Sequence, residues 1–123
     1  MTKKTIRVVD DEPHMIELVK AILETNGFSV ETAENGKEAL SKLEKIKPDL
    51  ILLDMMMPGM SGREVCEKIR ENPKTKSLKI VFLTVARFSE IGRKVLEDMK
   101  VTDYITKPFE NEDLVKRVKK ALA

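Results

Sequence analysis

The chain has 123 residues, 36% of them charged and 41% hydrophobic, with a net charge of +2 and a single cysteine. That length suits one domain with one core, the hydrophobic share argues against disorder, and one cysteine excludes an internal disulfide framework. Balanced charge gives no reason to expect direct nucleic-acid binding, and the apolar run Leu50–Leu53 is far too short to insert in a membrane.

The start, Met1-Thr2-Lys3-Lys4, leads straight into strand character and then acids, so no signal peptide is expected. Ile6-Arg7-Val8-Val9 reads as a strand ending in Asp10-Asp11. From Pro13, residues Ile16, Val19, Ile22 and Leu23 recur at helical spacing until Asn26-Gly27 stops the helix. Phe28 to Thr32 is a second strand, polar enough for an edge. Asn35-Gly36 opens a helix carrying Ala39, Leu40, Leu43 and Ile46, with Pro48 beyond its end. Leu50-Ile51-Leu52-Leu53 is apolar throughout, as expected of a strand covered on both faces, and ends in Asp54.

A Met-rich loop with Pro58-Gly59 leads to Ser61-Gly62 and a helix containing Val65, Cys66 and Ile69. Ile80-Val81-Phe82-Leu83 is another buried strand, ending at Thr84. A weaker helix is expected from about Ser89 to Met99, then a short strand from Thr102 to Thr106. After Lys107-Pro108 a last helix carries Leu114, Val115, Val118 and Leu122. Five strands alternating with five helices imply an α/β fold, with a parallel sheet covered by helices on both faces. No repeat or linker interrupts it, so residues 1–123 are expected to form one domain with no second one.

Ligands of open α/β sheets sit outside the carboxyl ends of the strands. Those ends carry Asp10, Asp11, Asp54, Thr84 and Lys107. Carboxylates brought this close raise one another's pKa unless a cation sits among them, and a hard divalent ion such as Mg²⁺ takes oxygen ligands of this kind. An aspartate flanked by a metal, an ammonium and a hydroxyl is a nucleophile suited to phosphorus.

In this setting four segments are informative: Val8-Val9-Asp10-Asp11-Glu12-Pro13; Pro48 through Gly59 with Gly62; Leu83-Thr84; and Tyr104-Ile105-Thr106-Lys107-Pro108-Phe109. Their order and spacing resemble the receiver domain of two-component response regulators, and the chain is similar to the single-domain chemotaxis protein CheY. The resemblance covers essentially the whole chain. It implies a flavodoxin-like, doubly wound sheet of order 2-1-3-4-5. It implies that Asp54 accepts a phosphoryl group. Asp10, Asp11, Asp54 and the Met56 carbonyl then hold Mg²⁺, with Asp10 acting directly or through water.

By the same resemblance, Thr84 and the N–H groups of Met55 and Val85 bind phosphoryl oxygens, Lys107 pairs with them, and the Lys107–Pro108 bond is cis. Tyr104 acts with Thr84 as a switch. The implied partners are a sensor histidine kinase or phosphotransfer protein and a downstream protein bound by helix 4, strand 5 and helix 5, all in the cytoplasm. The chain is then a phosphorylation-activated signalling switch and not an enzyme that turns over a separate substrate.

Three departures from the family pattern stand out. Val85 occupies a position that is usually Ala or Gly and narrows the mouth of the site. Met56 and Ala86 lack polar groups that orient an attacking water, so slow self-dephosphorylation is expected. Met99-Lys100-Val101-Thr102 lacks the frequent Gly-Ala turn, leaving the end of helix 4 open.

His14, the only histidine, opens the first helix and is expected to face solvent. With Met15, Leu18 and Phe109 it is the expected kinase contact. Cys66 reads as a buried structural thiol, and the three consecutive methionines as packing or loop residues instead of a soft-metal site. The basic run Lys116, Arg117, Lys119 and Lys120 suits the negative end of its helix. Two rivals stand beside the switch. A receiver belonging to a longer DNA-binding transcription regulator would share every motif. A phosphohydrolase with an aspartate nucleophile, resembling the haloacid dehalogenase group, would show Asp-x-Asp where this chain has Asp54-Met55-Met56.

Overall fold

The computed structural model describes residues 3–85 and 92–123. Among these residues the elements alternate as Thr5–Val9 (β1), Pro13–Thr25 (α1), Ser29–Ala33 (β2), Gly36–Lys45 (α2), Leu50–Leu53 (β3), Gly62–Glu71 (α3), Lys79–Thr84 (β4), Arg93–Asp98 (α4), Asp103–Thr106 (β5) and Asn111–Leu122 (α5). The strands form one parallel sheet of order β2-β1-β3-β4-β5, as the resemblance implies. This is the doubly wound, flavodoxin-like fold.

The pleat sorts the core. Because side chains alternate across a strand, Leu50 and Leu52 face one layer and Ile51 and Leu53 the other. The first layer joins Ile6, Val8, Val81 and Leu83 to Val19 and Leu23 of α1 and Leu114 and Val118 of α5. The second joins Val9, Ile80 and Phe82 to Ala39 and Leu43 of α2 and Val65, Cys66 and Ile69 of α3. Burial on both faces is why β3 and β4 carry unbroken apolar runs.

Local chemistry sets the boundaries. Pro13 occupies the first turn of α1, and the Glu12 carboxylate accepts from the His14 N–H at 3.3 Å. Asn35 caps α2 by accepting from Glu38 N–H at 2.8 Å, while Glu38 accepts from Glu34 N–H at 3.2 Å. Ser61 caps α3 through Glu64 N–H. Gly27, at φ +89°, ends α1 in a conformation that a side chain disfavours.

Boundaries differ from the sequence expectation at several elements: β1 and β4 start one residue earlier, at Thr5 and Lys79, and α2 ends at Lys45, so that Ile46 takes an extended conformation outside the helix and is exposed instead of packed. Strand β2 begins at Ser29 and runs to Ala33, because Phe28 turns its ring into the α1–α5 layer while its N–H still bonds Leu23 O. Strand β5 starts at Asp103, one residue later than expected. Helix α4 covers Arg93–Asp98, and the expected residues 89–91 lie outside the described ones. It ends where Lys100 adopts φ +54°, and Arg70 of α3 secures that turn by donating to Met99 O (2.7 Å) and Lys100 O (3.0 Å). An arginine clasp thus stands where a Gly-Ala turn was missed. Among the described residues, no helix is long and apolar enough to cross a membrane.

Candidate functional site

The carboxyl ends of the neighbouring central strands β1 and β3 build one acidic cluster. Asp10 follows β1 and Asp54 follows β3, and ladder bonds continue through both: Asp10 N–H donates to Ala33 O (3.2 Å) and Asp54 N–H to Val9 O (3.0 Å). Their carboxylates are therefore held by the sheet itself. Oxygens of Asp10, Asp11 and Asp54 lie within 4.8 Å of one another, the first and third buried and Asp11 exposed. The loop after β1 is fixed by Glu12 N–H donating to Asp10 Oδ1 (2.9 Å), and the loop after β3 by Met56 N–H donating to Asp54 Oδ1 (3.1 Å).

Lys107 enters from the end of β5, where its N–H donates to Thr84 O at 2.8 Å. Its ammonium donates to Asp10 Oδ2 at 2.6 Å and stands 3.5 Å from Asp54 Oδ2. The first is a strong charge-assisted bond, and the second a looser charge contact. The Lys107–Pro108 peptide is cis. Burial pushes the Asp54 carboxyl above its ordinary value, and the Asp10 charge adds to that; Met56 N–H, Lys107 and the Thr84 hydroxyl pull the other way, without winning. One ammonium meets a cluster of three carboxylates, so the site has an unmet demand for positive charge. Hard oxygen donors at this spacing fit Mg²⁺.

One requirement of the site was visible in the sequence only as a motif letter. Gly62 N–H donates to Met55 O (2.9 Å), and a Cβ on Gly62 would come within 2.6 Å of Met55 Cα and collide with the Asp54 carbonyl. The start of α3 therefore packs directly on the backbone that presents Asp54, which only glycine allows.

The family model described as response regulator receiver domain matches residues 6–119. The chain belongs to this family. The receiver is 42% identical over 117 residues to the phosphate regulon transcriptional regulatory protein PhoB of Rhizobium meliloti, covering 95% of this chain and 51% of that protein. It is 44% identical over 117 residues to the transcriptional regulatory protein ResD of Bacillus subtilis, covering 95% of this chain and 47% of that one. It thus spans about half the length of the curated relatives it matches. Among solved structures, chemotaxis protein CheY4 of Vibrio cholerae superposes with a TM-score of 0.91 at 31% identity, over 98% of this chain and 100% of that one. Response regulator TrrA of Thermotoga maritima, in complex with Mg²⁺-BeF, superposes at 0.84 with 43% identity, over 97% and 99%.

The remaining sequence-derived residues divide by position. Thr84 is fully buried at the end of β4, beside Thr106 in register. Tyr104 is half-buried on β5 and packs against the α2–α3 layer. His14 is exposed, Leu18 is 46% exposed, and Met15 and Phe109 are half-buried against the α1–α5 layer. None of the four belongs to the carboxylate cluster. Met56 is 59% exposed and Val85 60% exposed beside it, whereas Met57 is buried. Ala86 lies outside the described residues. Cys66 is fully buried, and burial pushes its thiol up to about 11, so it is inert.

Proposed function

We propose that residues 1–123 act as one phosphorylation-controlled signalling unit in which Asp54 accepts the phosphoryl group of a phosphohistidine. The carboxylate oxygen attacks phosphorus, the P–N bond breaks, and the histidine of the donor leaves as imidazole. The observation that carries this reading is the buried Asp54 carboxylate at the end of β3, held beside Asp10 and Lys107 in a receiver fold. Mg²⁺ is the cofactor, supported by the three-carboxylate cluster and by the Mg²⁺-BeF complex of TrrA. Asp10, Asp11, Asp54 and the Met56 carbonyl would hold it, and when bound it neutralises charge on the phosphoryl oxygens.

The receiver's own groups do the rest. Lys107 pairs with phosphoryl oxygens, and Thr84 with the N–H groups of Met55 and Val85 donates to them. Drawing Thr84 toward the phosphate frees space near Tyr104, which transmits the change to the α4–β5–α5 face for a protein partner. A sensor histidine kinase or phosphotransfer protein is the donor, resting on His14, Met15, Leu18 and Phe109. The same reading puts the exchange in the cytoplasm, with which the free thiol of Cys66 is compatible.

Incubation with acetyl phosphate and Mg²⁺, followed by intact mass and peptide mapping, tests the reading. One phosphoryl group is expected on Asp54, lost with chelator and in Asp54→Asn. A group mapped elsewhere, or undiminished by the substitution, overturns it. Replacing His14 and Met15 with alanine should slow transfer from the cognate kinase while leaving acetyl phosphate labelling intact; equal loss with both donors would remove the docking role. One observation favours a second reading: the curated relatives are transcriptional regulators about twice this length. A DNA-binding segment encoded in frame with this receiver would decide for it.

A further inference from the structure

At the opposite end of the sheet from Asp54, the C-terminal halves of α2 and α3 and the turn before β4 enclose an open hollow of about 940 Å³. Its apolar floor includes Leu40, Leu43 and Pro73. Around it stand Lys45, Lys47, Lys68 and Lys74, against the single carboxylate of Glu44. Among the described residues none of these four lysines makes an ion pair; the basic groups that do are Arg7, Lys42, Arg63, Lys107 and Arg117. Lys45 and Lys68 fall in the last turns of their helices, where the macrodipole welcomes a cation. That accounts for two of the four. Lys47 and Lys74 lie outside the helices, and among the described residues neither has an ion-pair partner.

The wall that carries Lys74 is rigid. The buried Thr75 hydroxyl donates to Ile69 O (2.8 Å), and Asn72 Oδ1 accepts from Lys74 N–H (2.9 Å). Arg70 Nη1 donates to Lys76 O (3.0 Å) and Leu78 O (2.7 Å). A preformed concavity loses little ordering entropy when it is filled. Four lysines line this one hollow against a single glutamate, and an anion with several negative oxygens matches that excess of positive charge.

We propose that this hollow is a binding site for an oligophosphate anion, either free or carried by a nucleotide whose base rests on the apolar floor. The site is separate from the phosphoacceptor cluster, so its occupancy leaves Asp54 chemistry open to independent measurement. The test is calorimetric titration of the full chain at low ionic strength without Mg²⁺, using sodium tripolyphosphate in one arm and ATP in another. One-site binding is expected, weakening as salt is added because the lysines are solvent-exposed. Lys68→Gln with Lys74→Gln should lower the affinity by about tenfold or more. The control pair Lys20→Gln with Lys116→Gln should change it little, and both pairs should still label at Asp54.

Equal affinity for the two ligands assigns the site to oligophosphate alone, while tighter ATP binding assigns the floor to a base. Absence of binding overturns the proposal. So does equal loss in the control pair, which would mean diffuse surface charge, and so does a clear preference for a single-stranded oligonucleotide over both anions.

Discussion

Two buried basic side chains reach across the same sheet and meet their acids in opposite ways. Arg7, in the middle of β1, pairs with Glu31 of β2, its neighbour in register, and donates to Ile46 O at the end of α2. One guanidinium meets one carboxylate, with partners fixed by the ladder. Lys107 instead contacts two carboxylates, Asp10 and Asp54, in a cluster that holds a third, Asp11. The first arrangement is balanced in charge and ties α2 to the sheet. The second is unbalanced, so it demands a cation and responds when the charge on Asp54 changes. Buried charge alone does not mark function; buried imbalance does.

The largest effect expected from this contrast is at Arg7. Arg7→Ala leaves Glu31 without its partner and opens space in the core, at a cost of about 3 kcal/mol in denaturant unfolding. Arg7→Met, which keeps much of the volume, should cost clearly less, because Glu31 is 34% exposed and can turn to water. An Arg7→Ala protein as stable as the parent would break the contrast.

At the acidic end the sign reverses. The raised pKa of Asp54 means that, in metal-free protein, the folded state holds a proton more tightly than the unfolded one. Its contribution is most favourable below the unfolded value and is lost as pH rises through the folded value. Asp54→Asn should therefore be more stable than the parent at neutral pH in chelator, with the gap closing toward acid. Thermal unfolding across pH checks this, and a gap that widens on acidification would refute it. A smaller effect is expected at the mouth of the site. Met56 is exposed there and offers no side-chain hydrogen bond to hold water in line with phosphorus. Met56→Asn should speed loss of the phosphoryl group several-fold, about 1 kcal/mol in barrier. The decay of labelled protein at fixed temperature with Mg²⁺ measures it.

Much of the site was legible because parallel sheets gather strand ends. Once the apolar runs before Asp10, Asp54 and Thr84 are read as strands, those residues must share one edge, whatever their separation in sequence. Arg7 was not legible in the same way. A charged residue inside an apolar run has no partner until the register is known, and Glu31 becomes that partner only because β2 lies beside β1. Arg70 was hidden for a related reason: its four acceptors are backbone carbonyls of Lys76, Leu78, Met99 and Lys100, which carry no side-chain signal.

Periodicity and motif spacing in the sequence by themselves determined the alternation of strands and helices, the acidic edge and the family resemblance, because each depends on local repeats or on strand direction. Tertiary structure alone decided which cations are spent and which are free. Lys107 is held by Asp10, Arg70 by carbonyls and Arg7 by Glu31, while Lys45, Lys47, Lys68 and Lys74 line one hollow with no ion pair among the described residues. Charge pairing depends on distances of a few ångströms between segments far apart in the chain, and only the packed fold sets those distances.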